Sequence, residues 1–110
     1  MKKYRKMEEP KISVLVPVYN TEQYLEKSLE SILNQTYHTI EIVVVSDASM
    51  GDVQKIINKF QKEIQRGKYE GKTLKYIEHD NNKGLYHTRL TGYYNATGEY
   101  IGVVDSDDYI

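Results

Sequence analysis

Short apolar runs alternate along the chain with longer stretches in which apolar residues recur every three or four positions, the signatures of strands and amphipathic helices in turn. Ile12-Ser13-Val14-Leu15-Val16 is a β-branched run closed by Pro17, which has no N–H to give to a sheet ladder. Asn20-Thr21-Glu22-Gln23 follows as a capping box, with Asn20 at the N-cap and Gln23 at N3. Leu25, Leu29, Ile32 and Leu33 then fall at helical spacing, which predicts a helix to about Gln35. The run from Ile40 to Val45 is nearly all apolar, the pattern of a strand covered on both faces. Asp52 can cap a second helix whose stripe is Val53, Ile56, Ile57, Phe60 and Ile64 and which ends near Gln65. A third strand is expected over Leu74 to Glu78, a third helix over Leu85 to Ala96 with Gly98 as its C-terminal cap, and a fourth, buried strand over Glu99 to Val104.

This βαβαβαβ alternation predicts an α/β fold: a mostly parallel sheet with helices on both faces. In such a sheet every loop that follows a strand opens on the same edge. Pro17 to Asn20, Ser46 to Asp52, His79 to Gly84 and Asp105 to Asp108 should therefore converge, and the polar residues cluster there. The last of these loops carries Asp105, Asp107 and Asp108. Carboxylates at the carboxyl end of a strand suit a divalent cation and a phosphate, although acidic clusters are as often solvated loops.

Composition narrows the function classes. With 110 residues, 39% hydrophobic and 28% charged, the chain can bury one core. Residues 1 to 10 read as a basic and polar tail, and residues 11 to 110 as part of a single domain. Fifteen basic against sixteen acidic residues leave a net charge of −1, so no global field draws the chain to nucleic acid or to an anionic membrane. No apolar stretch is long enough for a signal core or a transmembrane segment, which points to the cytoplasm, with peripheral contact of the tail at the inner face of the membrane as the lesser reading. On that reading the sequons at Asn34 and Asn95 are accidental. Without cysteine there is no disulfide scaffold, thiolate zinc site or cysteine nucleophile.

Several phosphate and metal motifs fail. No G-x-G-x-x-G follows the first strand, and Gly67 to Thr73 is one residue short of a P-loop and precedes a strand. A strand, not a helix, precedes Asp105-x-Asp107, which argues against an EF-hand. His38, His79 and His87 lack metal-ligand spacing and read as surface or packing residues.

Four segments in order resemble the family 2 glycosyltransferases. They are Ser13 to Asn20, Leu29 to Thr36, Ser46-Asp47-Ala48-Ser49, and Ala96 to Ile101 leading into Asp105-Ser106-Asp107-Asp108. The resemblance spans Lys11 to Ile110 and implies the amino-terminal, nucleotide-sugar-binding half of a Rossmann-like GT-A fold. It places Pro17, Val18, Tyr19 and Asn20 around the nucleotide base, with Tyr19 able to stack on the ring. It gives Asp47 the polar edge of the base, where the alternative is a turn or helix cap. Arg89 becomes a phosphate or base-positioning group, with a surface ion pair as the alternative, and Gly84 and Ser106 join the nucleotide-binding set. The D-x-D motif falls on Asp105 and Asp107, which with Asp108 would hold Mn²⁺ or Mg²⁺ against the diphosphate.

The resemblance thus implies an inverting, metal-assisted transferase that moves a sugar from a nucleoside-diphosphate sugar, with UDP-sugar favoured, to a glycan or lipid-linked acceptor in polysaccharide or cell-surface glycan biosynthesis. In that family the general base comes from a later segment, so it is expected beyond Ile110, in a domain that continues past residue 110. The chain departs from the family pattern at Ser46, at Ala48 in place of glycine, at Met50-Gly51, and at Leu90 where an Asn is usual. Two other readings stay open: a catalytically incomplete nucleotide-sugar-binding or regulatory module and, more distantly, a nucleotidyltransferase, which would release pyrophosphate instead of nucleoside diphosphate.

Overall fold

The computed structural model describes residues 9–19, 21–48 and 53–105. The elements run β1 Ile12–Val18, α1 Glu22–Leu33, β2 Ile40–Ser46, α2 Val53–Gln65, β3 Lys72–Glu78, α3 Leu85–Asn95 and β4 Tyr100–Val103. The strands form one sheet in the order β3-β2-β1-β4, and all three pairings are parallel. The two central strands, β1 and β2, are also the most apolar, as burial on both faces demands.

Side chains alternate along each strand, so each face has its own core. Val14, Val16 and Val18 of β1 and Ile42 and Val44 of β2 face α1 and α2, whose Leu25, Leu29, Ile32, Ile57 and Phe60 fill that layer. Lys59 on α2 and Glu26 on α1 tie the two helices together at the surface. Leu15, Val43 and Val45 point to the other face, which α3 covers. That helix lacks a stripe of large apolar residues and buries Thr88 and Gly92 instead. A Cβ on Gly92 would lie 3.4 Å from the Leu15 side chain, so small residues let α3 lie close against the sheet.

The structure corrects several expected boundaries. β1 does not stop before Pro17 but runs through it to Val18, in register with Val45 and Ser46. The even-numbered residues of β1 bond toward β2 and the odd ones toward β4, so the N–H that Pro17 lacks falls on the β4 side, past Leu15↔Val103, where that ladder ends. The N-cap of α1 is Thr21, whose carbonyl accepts the Tyr24 amide at 3.0 Å; Asn20, expected at that position, lies outside the described residues, as does Asp52. The helix ends at Leu33 and not Gln35: the Gln35 amide tightens onto the Ile32 carbonyl, three residues back, and the Asn34 and Gln35 side chains take the carbonyls of Glu30 and Ser31. Gly98 is not the cap of α3, which is closed by Ala96 in an extended conformation. Gly98 serves close approach: a Cβ there would stand 2.6 Å from Ser13 Oγ and 2.8 Å from the Lys11 carbonyl. β4, expected to be buried, is exposed along its length among the described residues, with Tyr100 at 63% and Val103 at 48%.

One buried carboxylate closes the lower end of the sheet. Glu41 accepts from Ser13 Oγ at 2.7 Å and from the Thr97 amide and hydroxyl at 2.9 and 3.0 Å, and Lys75 stands 3.5 Å away. Burial alone would raise its pKa, but these partners outweigh that effect and bring it down to about 2. Ser13 Oγ also accepts the Gly98 amide at 2.8 Å, so Glu41 fixes where β4 enters the sheet.

Candidate functional site

In an open parallel sheet the connections from two neighbouring strands leave to opposite faces where the strand order reverses, and a crevice opens between them. With the order β3-β2-β1-β4, that point lies between β1 and β4. The structure has a shallow depression of about 140 Å³ there, lined by Pro17, Tyr19, Thr21, Leu85 and Asp105. Pro17 and Tyr19 arrive from the end of β1, Asp105 from the end of β4, and Leu85 from the first turn of α3. Tyr19 keeps 40% of its surface exposed, so its ring is available at the rim. Val18 is fully buried under α1 and α2 and acts as the floor of the β1 end.

Arg89 lies one turn into α3 from Leu85, and its guanidinium reaches both carboxylate oxygens of Asp105 at 3.2 and 3.3 Å. Both side chains are about two-fifths exposed, at 44% and 39%. The pair is therefore worth little as a stability element and remains open to a third, charged group. Asp105 is the one described residue of the acidic cluster. Asp107 and Asp108, expected with it as metal ligands, and Asn20 and Ser106, expected at the nucleotide, lie outside the described residues. Among the described residues no three His, Asp or Glu side chains converge on a metal position.

Asp47, expected at the polar edge of the base or as a cap, follows the end of β2. Its side chain has no exposed surface, and its oxygens face the loop before α3 and not the depression. Oδ1 accepts from His79 Nδ1 at 2.7 Å and from the Lys83 amide at 2.9 Å, and Oδ2 accepts from the Gly84 amide at 2.9 Å. Burial works to raise the Asp47 pKa, but the His79 hydrogen bond and then the two amides prevail and hold the carboxyl below its usual range. This is a capping role, across space to the β3–α3 loop instead of along the chain. Gly84 itself has φ 93 and ψ 163, a conformation that belongs to glycine, and its carbonyl accepts both the amide and the hydroxyl of Thr88 as α3 begins.

His79, which reads from the sequence as a surface or packing residue, is buried and hydrogen-bonded on both ring nitrogens. Only 8% exposed at the end of β3, it bonds Asp47 through Nδ1 and Thr91 Oγ1 through Nε2 at 2.8 Å. Its position at the end of a strand, beside a loop expected to meet the Asp47 loop, was the available signal. Thr91 gave none, since a threonine inside a helix usually bonds its own turn, as Thr91 also does to the His87 carbonyl at 3.0 Å.

Residues 13–110 match glycosyl transferase family 2. The chain is 47% identical over 100 residues to glycosyltransferase GlyA of Streptococcus pneumoniae serotype 4, which covers 91% of the chain but only 13% of GlyA. Its structure superposes on that of TarS 1–349 from S. aureus in complex with UDP-GlcNAc with a TM-score of 0.76 and 36% identity, over 91% of the chain and 27% of that chain. It also superposes on the mannosyltransferase PcManGT from Pyrobaculum calidifontis, in complex with GDP-Man and Mn²⁺, with a TM-score of 0.78 and 27% identity, over 93% of the chain and 29% of that protein. The chain thus spans less than a third of each of these relatives. A sheet in the order β3-β2-β1-β4, a crevice at the strand-order reversal and a family match over nearly the whole chain agree, and this chain belongs to glycosyl transferase family 2.

Proposed function

We propose that the depression between β1 and β4 is the donor site for a nucleoside-diphosphate sugar, with UDP-sugar as the donor. The observation that carries this reading is the meeting of Pro17, Tyr19, Leu85 and Asp105 at the strand-order reversal, with Arg89 on Asp105 at its rim. UDP is favoured over GDP because the TarS structures bind UDP and UDP-GlcNAc at 36% identity, against 27% for the GDP-Man-binding relative.

Each residue then has a distinct task. Pro17 and the Tyr19 ring bound the base, with Tyr19 stacking on it, and Asn20 is assigned to the same base. Asp47 sets the loop that carries Gly84, so its contribution to base selection runs through the shape of that wall. Arg89 gives up part of its contact with Asp105 to meet the diphosphate, since a guanidinium can serve two anions at once. Ser106 is assigned to the nucleotide as well.

The cation is assigned to Asp105, Asp107 and Asp108. Asp105 fits that role: it is partly exposed, borders the depression and offers the hard oxygen donors that Mg²⁺ and Mn²⁺ take. When bound, such an ion supplies Lewis-acid compensation for the charge that develops on the departing nucleoside diphosphate. Transfer with inversion also needs a base to take the proton of the acceptor hydroxyl, and we place that base and the surface for a glycan or lipid-linked acceptor outside residues 1–110. We place the protein in the cytoplasm, where nucleotide sugars are made. No helix among the described residues is long and apolar enough to cross a membrane.

Calorimetric titration with UDP, CDP and GDP, each with Mn²⁺ and with a chelator, tests the reading. UDP with Mn²⁺ should bind tightest, and Asp107→Asn should remove most of the metal dependence without changing the circular-dichroism spectrum. Equal affinity for the three nucleotides would sink the UDP assignment. Metal-independent binding of UDP would remove the cation from the site.

A further inference from the structure

One buried imidazole joins the end of β3 to Asp47 and to α3. His79 sits at the end of β3 with its side chain 7% exposed, and its own amide donates to the Ser46 carbonyl at the end of β2 at 2.9 Å. Nδ1 donates to Asp47 at 2.7 Å, and Nε2 meets Thr91 Oγ1 on α3 at 2.8 Å. Asp47 in turn takes the Lys83 and Gly84 amides, both at 2.9 Å on their shorter contacts. The first turn of α3 is hung from Gly84, whose carbonyl accepts Thr88 N at 3.0 Å and Thr88 Oγ1 at 2.8 Å. Leu85, the next residue, lines the depression, and Arg89, one turn on, reaches Asp105. A displacement at His79 is therefore passed through Asp47 to the origin of α3, and through Thr91 to its middle.

We infer that His79 is a positioning residue for the donor site: it locks Asp47 against the Lys83–Gly84 loop and clamps α3 through Thr91, so that Leu85 and Arg89 stand correctly at the depression. The inference rests on the donor-site reading for its functional consequence, although the clamp itself is independent of any ligand. A packing residue would need only the volume of a ring. His79 instead has both ring nitrogens within 2.8 Å of polar partners on different elements. The Asp47 carboxylate has no solvent-exposed surface from which water could replace a lost donor.

Three variants separate a clamp from mere bulk. His79→Phe keeps a ring and removes both hydrogen bonds. His79→Asn keeps an N–H close to the position of Nδ1 and so retains the Asp47 bond alone. Thr91→Val keeps the shape of the side chain and removes the Nε2 partner. Amide hydrogen exchange by NMR should show the Lys83 and Gly84 amides losing protection by roughly tenfold or more in His79→Phe, with the amides of β1 and β2 unchanged. In His79→Asn most of that protection should return. UDP affinity, by calorimetry with Mn²⁺, should fall by roughly tenfold in His79→Phe and be largely restored in His79→Asn, since a lost buried bond is worth about that factor. Thr91→Val should weaken UDP binding less than His79→Phe and leave the Lys83 and Gly84 amides protected. Phe60→Leu, in the core layer between the sheet and α2, serves as the control and should lower stability without changing UDP affinity.

Unchanged protection at Lys83 and Gly84 in His79→Phe would overturn the clamp, and so would a uniform loss across the strands. Intact UDP affinity in a variant whose loop has loosened would overturn the positioning role. If the unmodified protein bound no UDP at all, the donor-site reading would fail on its own, while the exchange measurement would still decide whether His79 holds the loop.

Discussion

Ala48 has φ 55, in the left-handed region where a side chain costs energy and glycine does not. The family pattern has glycine at this position, and the backbone conformation supplies the physical reason. Ala48→Gly should therefore raise stability by on the order of 0.5–1 kcal/mol, read as a higher urea midpoint at unchanged slope. Gly84 poses the opposite case. A Cβ there would meet nothing within 4 Å, so Gly84→Ala tests backbone strain alone. It should cost about 1–3 kcal/mol and loosen the start of α3. Glu41 gives a pH signature. Its folded pKa of about 2 lies below the ordinary 4.5, so the stability it contributes is present above about pH 4.5 and is lost as pH falls toward 2. That contribution is at most about 3 kcal/mol, and Glu41→Gln should flatten the acid limb of the stability curve by a comparable amount.

At the scale of elements, periodicity was a sound guide wherever one face of a segment does one thing. The stripe of α1 is buried, with Ser28 beside it; that of α2 is buried at Val53, Ile57 and Phe60 and partly at Ile56 and Ile64; and β2, apolar but for Glu41 and Ser46, is buried from end to end. The third helix was legible from its flanking glycines, but its inward face was not, because Thr88, Thr91 and Gly92 pack by being small or by bonding across space. β4 was misjudged for a related reason: an apolar run records what a strand could bury, not what covers it. Its entry into the sheet depends on Gly98, where a Cβ would strike backbone atoms of Ser13 and Lys11 at 2.7 and 2.8 Å. Gly98→Ala should thus displace β4 and with it Asp105. We expect a loss of UDP binding with the amide protection of β2 and β3 retained.

At the scale of the whole molecule, two central strands fully clothed by helices sit beside a fourth that is bare among the described residues. Tyr100, Ile101 and Val103 are all more than two-fifths exposed, and Tyr86, Tyr93 and Tyr94 stand out from α3. The relatives are more than three times longer than this chain. We expect a protein of their length that covers this surface to unfold at a higher temperature than residues 1–110 and to transfer sugar, and residues 1–110 alone not to transfer it. Calorimetric melting and release of nucleoside diphosphate from a UDP-sugar would check both. Transfer by residues 1–110 at the rate of the longer protein would place the general base within this stretch.

What the sequence determined by itself was the order and type of elements, the parallel sheet and the edge at which the polar loops gather. All of these follow from local periodicity and from the rule that parallel strands end on one side. It also singled out Pro17, Tyr19, Arg89 and Asp105 by residue type and motif position; the first two and Asp105 line one depression, with Arg89 bonded to Asp105. Only the tertiary structure decided which donors Asp47 meets. A buried carboxylate takes the donors that folding brings to it, and the Asp47 partners, His79, Lys83 and Gly84, come from a loop 32 to 37 residues away. The same holds for Glu41, whose partners Ser13 and Thr97 lie 28 and 56 residues off. Patterns along a chain report which surfaces avoid water. Which polar groups then meet inside depends on contacts between segments, and that is decided only when the sheet and helices close together.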